Sequence, residues 1–153
     1  MREILFRGKI DADNPNDGEW IYGSLLREGK HNYPIIVEDD SVDNDDDWIR
    51  IDMWATVFPD TIGQYTGLTD KNGVKIFEGD IVKIYDSYDL LHYDNPDYQV
   101  SKVFYSDGAL CVDYHTSDYD YTVMGWIEDV EFEVIGNIHD NPELINEALN
   151  GET

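Results

Sequence analysis

Between positions 85 and 98 the chain reads YDSYDLLHYDNPDY, in which Tyr85, Tyr88, Tyr93 and Tyr98 alternate irregularly with Asp86, Asp89, Asp94 and Asp97. Tyrosine offers a large, stiff contact surface, and a carboxylate beside it accepts hydrogen bonds from guanidinium or ammonium groups. That combination suits a surface gripping an Arg/Lys-rich partner, so these eight residues form the candidate partner-binding set. The stretch has no clean period of two and contains Asn95-Pro96, so it reads as a long connection. DYHTSDYDY (113–121) repeats the mixture. There a strand with Tyr119, Tyr121 and Val123 inward and Asp118 and Asp120 outward explains the pattern without any partner.

Other chemistry finds little support. The four histidines, His31, His92, His115 and His139, lie far apart. Cys111 sits mid-strand in ALCVDY with no neighbouring base and reads as a small buried apolar residue. No phosphate-cradling glycine loop, paired-histidine helix or nucleophile elbow occurs. A calcium loop needs alternating acids, a central glycine and a final bidentate acid. Counting from Asp13 places Pro15 third and Ser24 twelfth; from Asp43, Asp45 and Asp47 alternate but no glycine follows. The expectation is a non-enzymatic protein with no catalytic, cofactor-binding or metal-binding residue, and at most weak cation binding at 38–47.

The elements that must position the tyrosine-aspartate stretch are short strands and turns. ILFRGKI, EWIYGSLL and YPIIV read as strands, with the turn formers DADNPNDG between the first two. EDDSVDNDDD (38–47) has seven acids in ten residues, whose mutual repulsion predicts an exposed, solvated loop. WIRIDMWATVF follows, with Trp48 and Trp54 expected to anchor on the core. In GQYTGLTDKNGVKIFEGDIVKIYD (63–86), Gly63 and Gly67 allow close approach or positive φ around Tyr65. Asn72-Gly73 suits a primed hairpin turn, and Glu78-Gly79-Asp80 forms a second turn in which Asp80 is a turn residue rather than a ligand. Strands follow near 81–85, 98–105, 109–114, 119–126 and 130–138. Only DNPELINEALNG looks helical: Asn141 can cap, Pro142 suits the first position, and Leu144, Ile145, Ala148 and Leu149 make one apolar stripe. The resulting fold class is mainly β, a small closed or half-closed SH3-like β-barrel with additional N-terminal strands and one short C-terminal helix. The division is an N-terminal β region, 1–60, carrying the acidic loop, and a barrel region, 61–153, ending in a helix at about 142–150; one shared core for both is the alternative.

Charge limits the partners. With 34 acids against 10 Lys/Arg, the net charge is −24. Residues 1–76 hold 16 acids and 8 bases, and residues 77–153 hold 18 acids with only Lys83 and Lys102. Such a surface repels phosphates, so neither direct nucleic-acid binding nor an anionic membrane is expected. A basic or DNA-binding protein is attracted instead. The single cysteine, an opening with no signal-like apolar run and the lack of any stretch near the roughly 20 apolar residues of a membrane helix point to a reducing cytoplasm.

MREILFRGK, GEWIYGSL (18–25), TIGQYTGLTDKNGVKIFEGDIVKI (61–84), FYSDGAL (104–110) and EVIGNIHDNPELI (133–145) together resemble the phage and prophage YopX protein family. The resemblance covers both ends and the middle in order, and implies a mainly β fold and a phage or prophage origin, hence the cytoplasm of a bacterial host. It supplies no functional residues. The acidic stretch 38–47 and the Asp/Tyr-rich stretch 85–98 depart from the family pattern. The reading that follows is an acidic interaction protein engaging a basic, nucleic-acid-binding partner, in the strongest form by mimicking DNA. The alternative is a structural or accessory β-barrel protein whose charge serves solubility. Exposed strand edges make self-association into a homo-oligomer reasonable.

Overall fold

Alternating apolar and polar residues become antiparallel strands over about half of the described residues, in a computed structural model that describes residues 2–27, 34–39, 42–44, 49–114 and 122–150. Two units result, Met1–Tyr65 and Thr66–Thr153, each with its own apolar cluster.

The first unit holds β1 (Phe6–Lys9), β2 (Trp20–Arg27), β3 (Pro34–Val37), β4 (Val42–Asn44), β5 (Ile49–Ile51), β6 (Trp54–Thr56) and the start of β7 (Gly63–Thr69). The order β6-β3-β2-β1-β7 is antiparallel throughout. In β2 the period of two turns Ile21 inward and leaves Tyr22 exposed, and Ile21 packs with Ile36 and Val57. The β1–β2 connection is tied by its own side chains: Asn14 Oδ1 accepts from the Asn16 N–H at 2.8 Å, and Asp17 Oδ1 from the Ala12 N–H at 3.1 Å. Within the stretch expected to be a loop, Val42–Asn44 is instead a strand, paired with β5 in the register Asp43↔Arg50. Extended backbone separates like charges, and Arg50 opposes Asp43 at 3.8 Å. Both of those side chains are mostly exposed, so the pair contributes no more than about 1 kcal/mol. Trp54 is not a core anchor: it lies on a three-residue edge strand with its side chain exposed. Trp48 falls outside the described residues, as do Tyr119 and Tyr121.

The second unit holds the rest of β7, then β8 (Lys75–Phe77), β9 (Asp80–Asp86), α1 (Ser87–His92), β10 (Tyr98–Ser106), β11 (Ala109–Val112), β12 (Thr122–Val123), β13 (Val130–Asn137) and α2 (Glu143–Asn150). Five strands form one antiparallel sheet, β12-β11-β10-β9-β13. Val82 and Ile84 of β9 face a core shared with Val103, Val112 and Phe132, while β8 adds Ile76. Each fully buried aliphatic side chain is worth about 1.5–3 kcal/mol. Of the closed or half-closed barrel expected, the closed form is absent among the described residues: this sheet ends in β12 on one side and β13 on the other. The mainly β class, the extra N-terminal strands and the short C-terminal helix stand.

Turn chemistry places the strands. Asp107 (φ 51°) and Gly108 (φ 82°) are both left-handed, giving the two-residue primed turn that joins β10 to β11. The turn at 70–73 is different. Asn72 does not have positive φ; Gly73 alone does, at 81°, and its N–H donates to the Asp70 carbonyl at 3.0 Å. That is an unprimed turn closed by a left-handed glycine, because the Asp70 carboxylate draws in the N–H groups of Asn72 and Val74. Asp80 is the turn residue expected, its Oδ2 accepting from the Phe77 N–H at 2.8 Å. Helix α2 begins at Glu143, one residue past Pro142, and packs on β10 with Leu144 and Ile145 half-buried.

Candidate partner-binding surface

The stretch 85–98 is not one loop. It comprises the end of β9, the six-residue helix α1, a short connection and the start of β10. Asp86 starts the helix: its Oδ1 accepts from the Tyr88 N–H at 2.8 Å, satisfying a donor that helical geometry leaves open. Asp89 lies in the first turn and His92 in the last, and the Tyr93 N–H closes the end on the Asp89 carbonyl at 3.0 Å. Positions 88 and 92 lie on one helix face, so Tyr88 and His92 stack with ring centres 4.0 Å apart and planes 19° apart. His92 Nδ1 lies 2.8 Å from the Tyr88 carbonyl oxygen.

The eight expected residues divide into two groups. Tyr85 is inside, only 6% exposed, on the sheet face opposite Val82 and Ile84. Its hydroxyl donates to Glu133 Oε2 at 2.8 Å, its ring meets Tyr98 at 5.6 Å, and the Lys71 ammonium lies 4.9 Å from its centre. Lys71 also pairs with Glu133 at 3.3 Å, and Lys83 lies 4.2 Å from the centre of the Tyr98 ring. Burial first, then the hydrogen bond and charge of Glu133, push the Tyr85 phenol up to about 12. Glu133 is held below the usual carboxylate range, chiefly by the Tyr85 hydrogen bond and then by Lys71, against the opposing effect of burial. An acid so weak beside a carboxylate so firmly ionised transfers no proton near neutral pH. This cluster is a structural tie between β9, β13 and the 70–73 turn.

Of the others, all but Asp89 face water. Tyr88, Leu91 and Tyr93 are 61%, 80% and 60% exposed, and Tyr98 is exposed above its contact with Tyr85. Asp86, Asp94 and Asp97 are exposed and Asp89 is half-buried. The Ser87 N–H donates to the Asp129 carbonyl at 2.8 Å, which brings the segment after Trp126, itself largely exposed, beside the helix start. The Tyr114 phenol is pushed up by burial and then by the charge of Asp86. The sequence reading did not include Leu91, Lys71 or Glu133. Leu91 could have been found as the apolar residue one turn from Ser87 in a capped segment; Glu133 lies 48 residues from Tyr85, beyond any local signal. Among the described residues no three His, Cys, Asp or Glu side chains gather as a metal-binding group, and no helix is long and apolar enough to cross a membrane.

The family profile described as YopX protein matches residues 11–146. The SPbeta prophage-derived uncharacterized protein YopX of Bacillus subtilis (strain 168) is 39% identical over 75 residues, 48% of this chain and 52% of that protein. The chain thus spans about half the length of this curated relative. Among solved structures, protein EF1440 from Enterococcus faecalis superposes with a TM-score of 0.61 at 27% identity, covering 95% of this chain and 99% of that one. The crystal structure of protein yopX from Bacillus subtilis gives 0.55 at 23% identity, covering 94% and 98%, a likeness of fold alone.

Proposed function

The chain belongs to the YopX protein family, and from that premise we propose that it is a phage- or prophage-encoded, non-enzymatic protein whose acidic surface engages a basic, nucleic-acid-binding protein. One observation carries the reading. Helix α1 presents Tyr88 and Leu91, and Tyr93 follows directly, as exposed apolar area among Asp86, Asp94 and Asp97, in a stretch with no Lys or Arg between Lys83 and Lys102. Apolar surface held in water favours burial by about 25 cal/mol per Å², and the surrounding carboxylates select a cationic face to bury it against. Solubility alone explains the acids but not the leucine and tyrosines beside them. DNA mimicry is the finer form of the same reading, since the natural ligand of such a partner is itself a polyanion.

The test uses the purified chain and a defined Arg/Lys-rich DNA-binding domain, titrated by fluorescence anisotropy at several salt concentrations. Binding that weakens as salt rises, falls on Asp94→Asn/Asp97→Asn and Leu91→Ala, and is displaced by duplex DNA is the expected result. Affinity unchanged by all of these substitutions refutes the surface, and leaves charge as a device for solubility. Binding without displacement by DNA retains the partner and discards mimicry.

A further inference from the structure

Strand β13 is the last of its sheet and pairs with β9 on one side. Its composition invites a neighbour on the other: Val130, Phe132 and Val134 alternate with Glu131 and Glu133 in a strand of eight residues. An edge of this kind exposes a row of backbone donors and acceptors and is a template for another strand. Here two of those groups are already taken. The Phe132 carbonyl accepts from the Lys71 N–H at 2.8 Å, and the Val134 N–H donates to Asp70 Oδ2 at 3.0 Å.

These are the two bonds that a neighbouring strand would make with a carbonyl and the N–H two residues on. The turn supplies one from backbone and the other from a side chain. The other carboxylate oxygen, Oδ1, holds the turn itself, accepting from the N–H groups of Asn72 and Val74 at 2.8 and 2.9 Å. Asp70 is buried, and three N–H donors share its carboxylate. A carboxylate that only shaped the turn needs Oδ1 alone; Oδ2 is aimed across at another strand.

We propose that the Asp70–Lys71 turn is an edge lock, which occupies β13 and so keeps it from pairing with a strand of a second copy of this chain. The second copy is the occupant because the freed edge alternates β-branched and aromatic residues with no proline, and every copy carries the same edge. The pairing is strand addition through main-chain bonds, its extent rising with concentration.

Three variants separate the lock from mere stability. Asp70→Ala removes the side-chain bond to Val134. Lys71→Pro removes the N–H that reaches Phe132, while proline at this second turn position keeps the turn backbone. Lys71→Ala removes the ammonium and keeps the N–H, so it controls for the ion pair with Glu133. Light scattering on a sizing column reads association, and hydrogen exchange reads the Val134 amide. The expected result is association beyond the wild-type state in Asp70→Ala and Lys71→Pro, with Val134 exchange faster by about tenfold or more in Asp70→Ala, and wild-type mass in Lys71→Ala. If Asp70→Ala fails to fold, Lys71→Pro decides alone. Wild-type elution of the folded variants overturns the lock, as does association of Lys71→Ala to the same extent.

Discussion

The Tyr85 hydroxyl donates a 2.8 Å hydrogen bond to Glu133 across the adjacent strands β9 and β13. The phenol is raised from its ordinary 10.0 to about 12, by burial first and then by Glu133. A folded-state value above the unfolded one contributes stability that is complete below about pH 10 and disappears as pH climbs towards 12. Alkaline titration of phenolate absorbance should therefore show one late-ionising tyrosine that coincides with unfolding and is missing from Tyr85→Phe. At neutral pH that variant should lose about 1–2 kcal/mol, since Glu133 keeps Lys71 as a partner. A Tyr85→Phe titration curve superimposing on wild type at high pH contradicts this.

At the acid end the controlling group is Asp70. Burial alone would raise its carboxyl, but the N–H groups of Val134, Val74 and Asn72, with Lys71 nearby, bring it below its ordinary 3.8. The sign is opposite to that of Tyr85: the stabilising contribution is complete above about pH 4 and is lost as pH falls through the lower folded value. Glu133 acts in the same direction. Asp70→Asn should cost about 1–3 kcal/mol at neutral pH, because an amide nitrogen now opposes N–H donors. Below pH 4 its stability should fall less steeply than that of wild type. Parallel urea denaturation series across pH would show this, and equal slopes for the two proteins would count against the assignment.

Docking of α2 depends on a missing side chain. A Cβ on Gly136 would sit 2.5 Å from Asn141 Oδ1 and 3.0 Å from Leu144 Cδ1. Asn141 Oδ1 accepts the Asn137 N–H at 3.3 Å there, so the end of β13 and the start of α2 close on each other around this glycine. Gly136→Ala should destabilise the chain by about 1–3 kcal/mol through overpacking. Exchange should accelerate first in Leu144 and Ile145. An alanine variant with unchanged midpoint in denaturant would mean that α2 shifts freely.

How much of this was legible follows from range. The strand expected near 81–85 forms as β9, and Val82 and Ile84 on its core face are a local alternation about Lys83. The burial of Tyr85 on the other face depends on Glu133, Lys71 and Tyr98, which lie near only after folding, so no window of sequence contains it. The primed turn was expected at Asn72-Gly73 and occurs at Asp107-Gly108. Both dipeptides permit it, and the Asp70 carboxylate decides against it at the first. Helix α1 escaped because the tyrosines obscured its cap; Asp86, with Asp89 in the first turn and His92 in the last, was the available signal. The tyrosines and aspartates that were singled out do share one segment, but folding takes Tyr85 inside and leaves the remainder to the surface.

Asp86 carries two roles that substitution can separate. Its Oδ1 caps α1 through the Tyr88 N–H, while the side chain as a whole remains exposed and charged. Asp86→Ser keeps a capping oxygen and removes the charge; Asp86→Ala removes both. The alanine variant should lose about 1 kcal/mol locally, fraying α1 and scattering Tyr88 and Leu91, whereas the serine variant should keep the helix. Towards a basic partner, Asp86→Ser should behave like Asp94→Asn, slowing association while dissociation stays near wild type, as expected when a peripheral charge steers encounter. Asp86→Ala should in addition dissociate faster, because the apolar contact loses its scaffold. Stopped-flow association at two salt concentrations resolves the two effects. Identical rates for the serine and alanine variants would show that the cap does not position the surface, and the role of α1 as the contact element would fall with it.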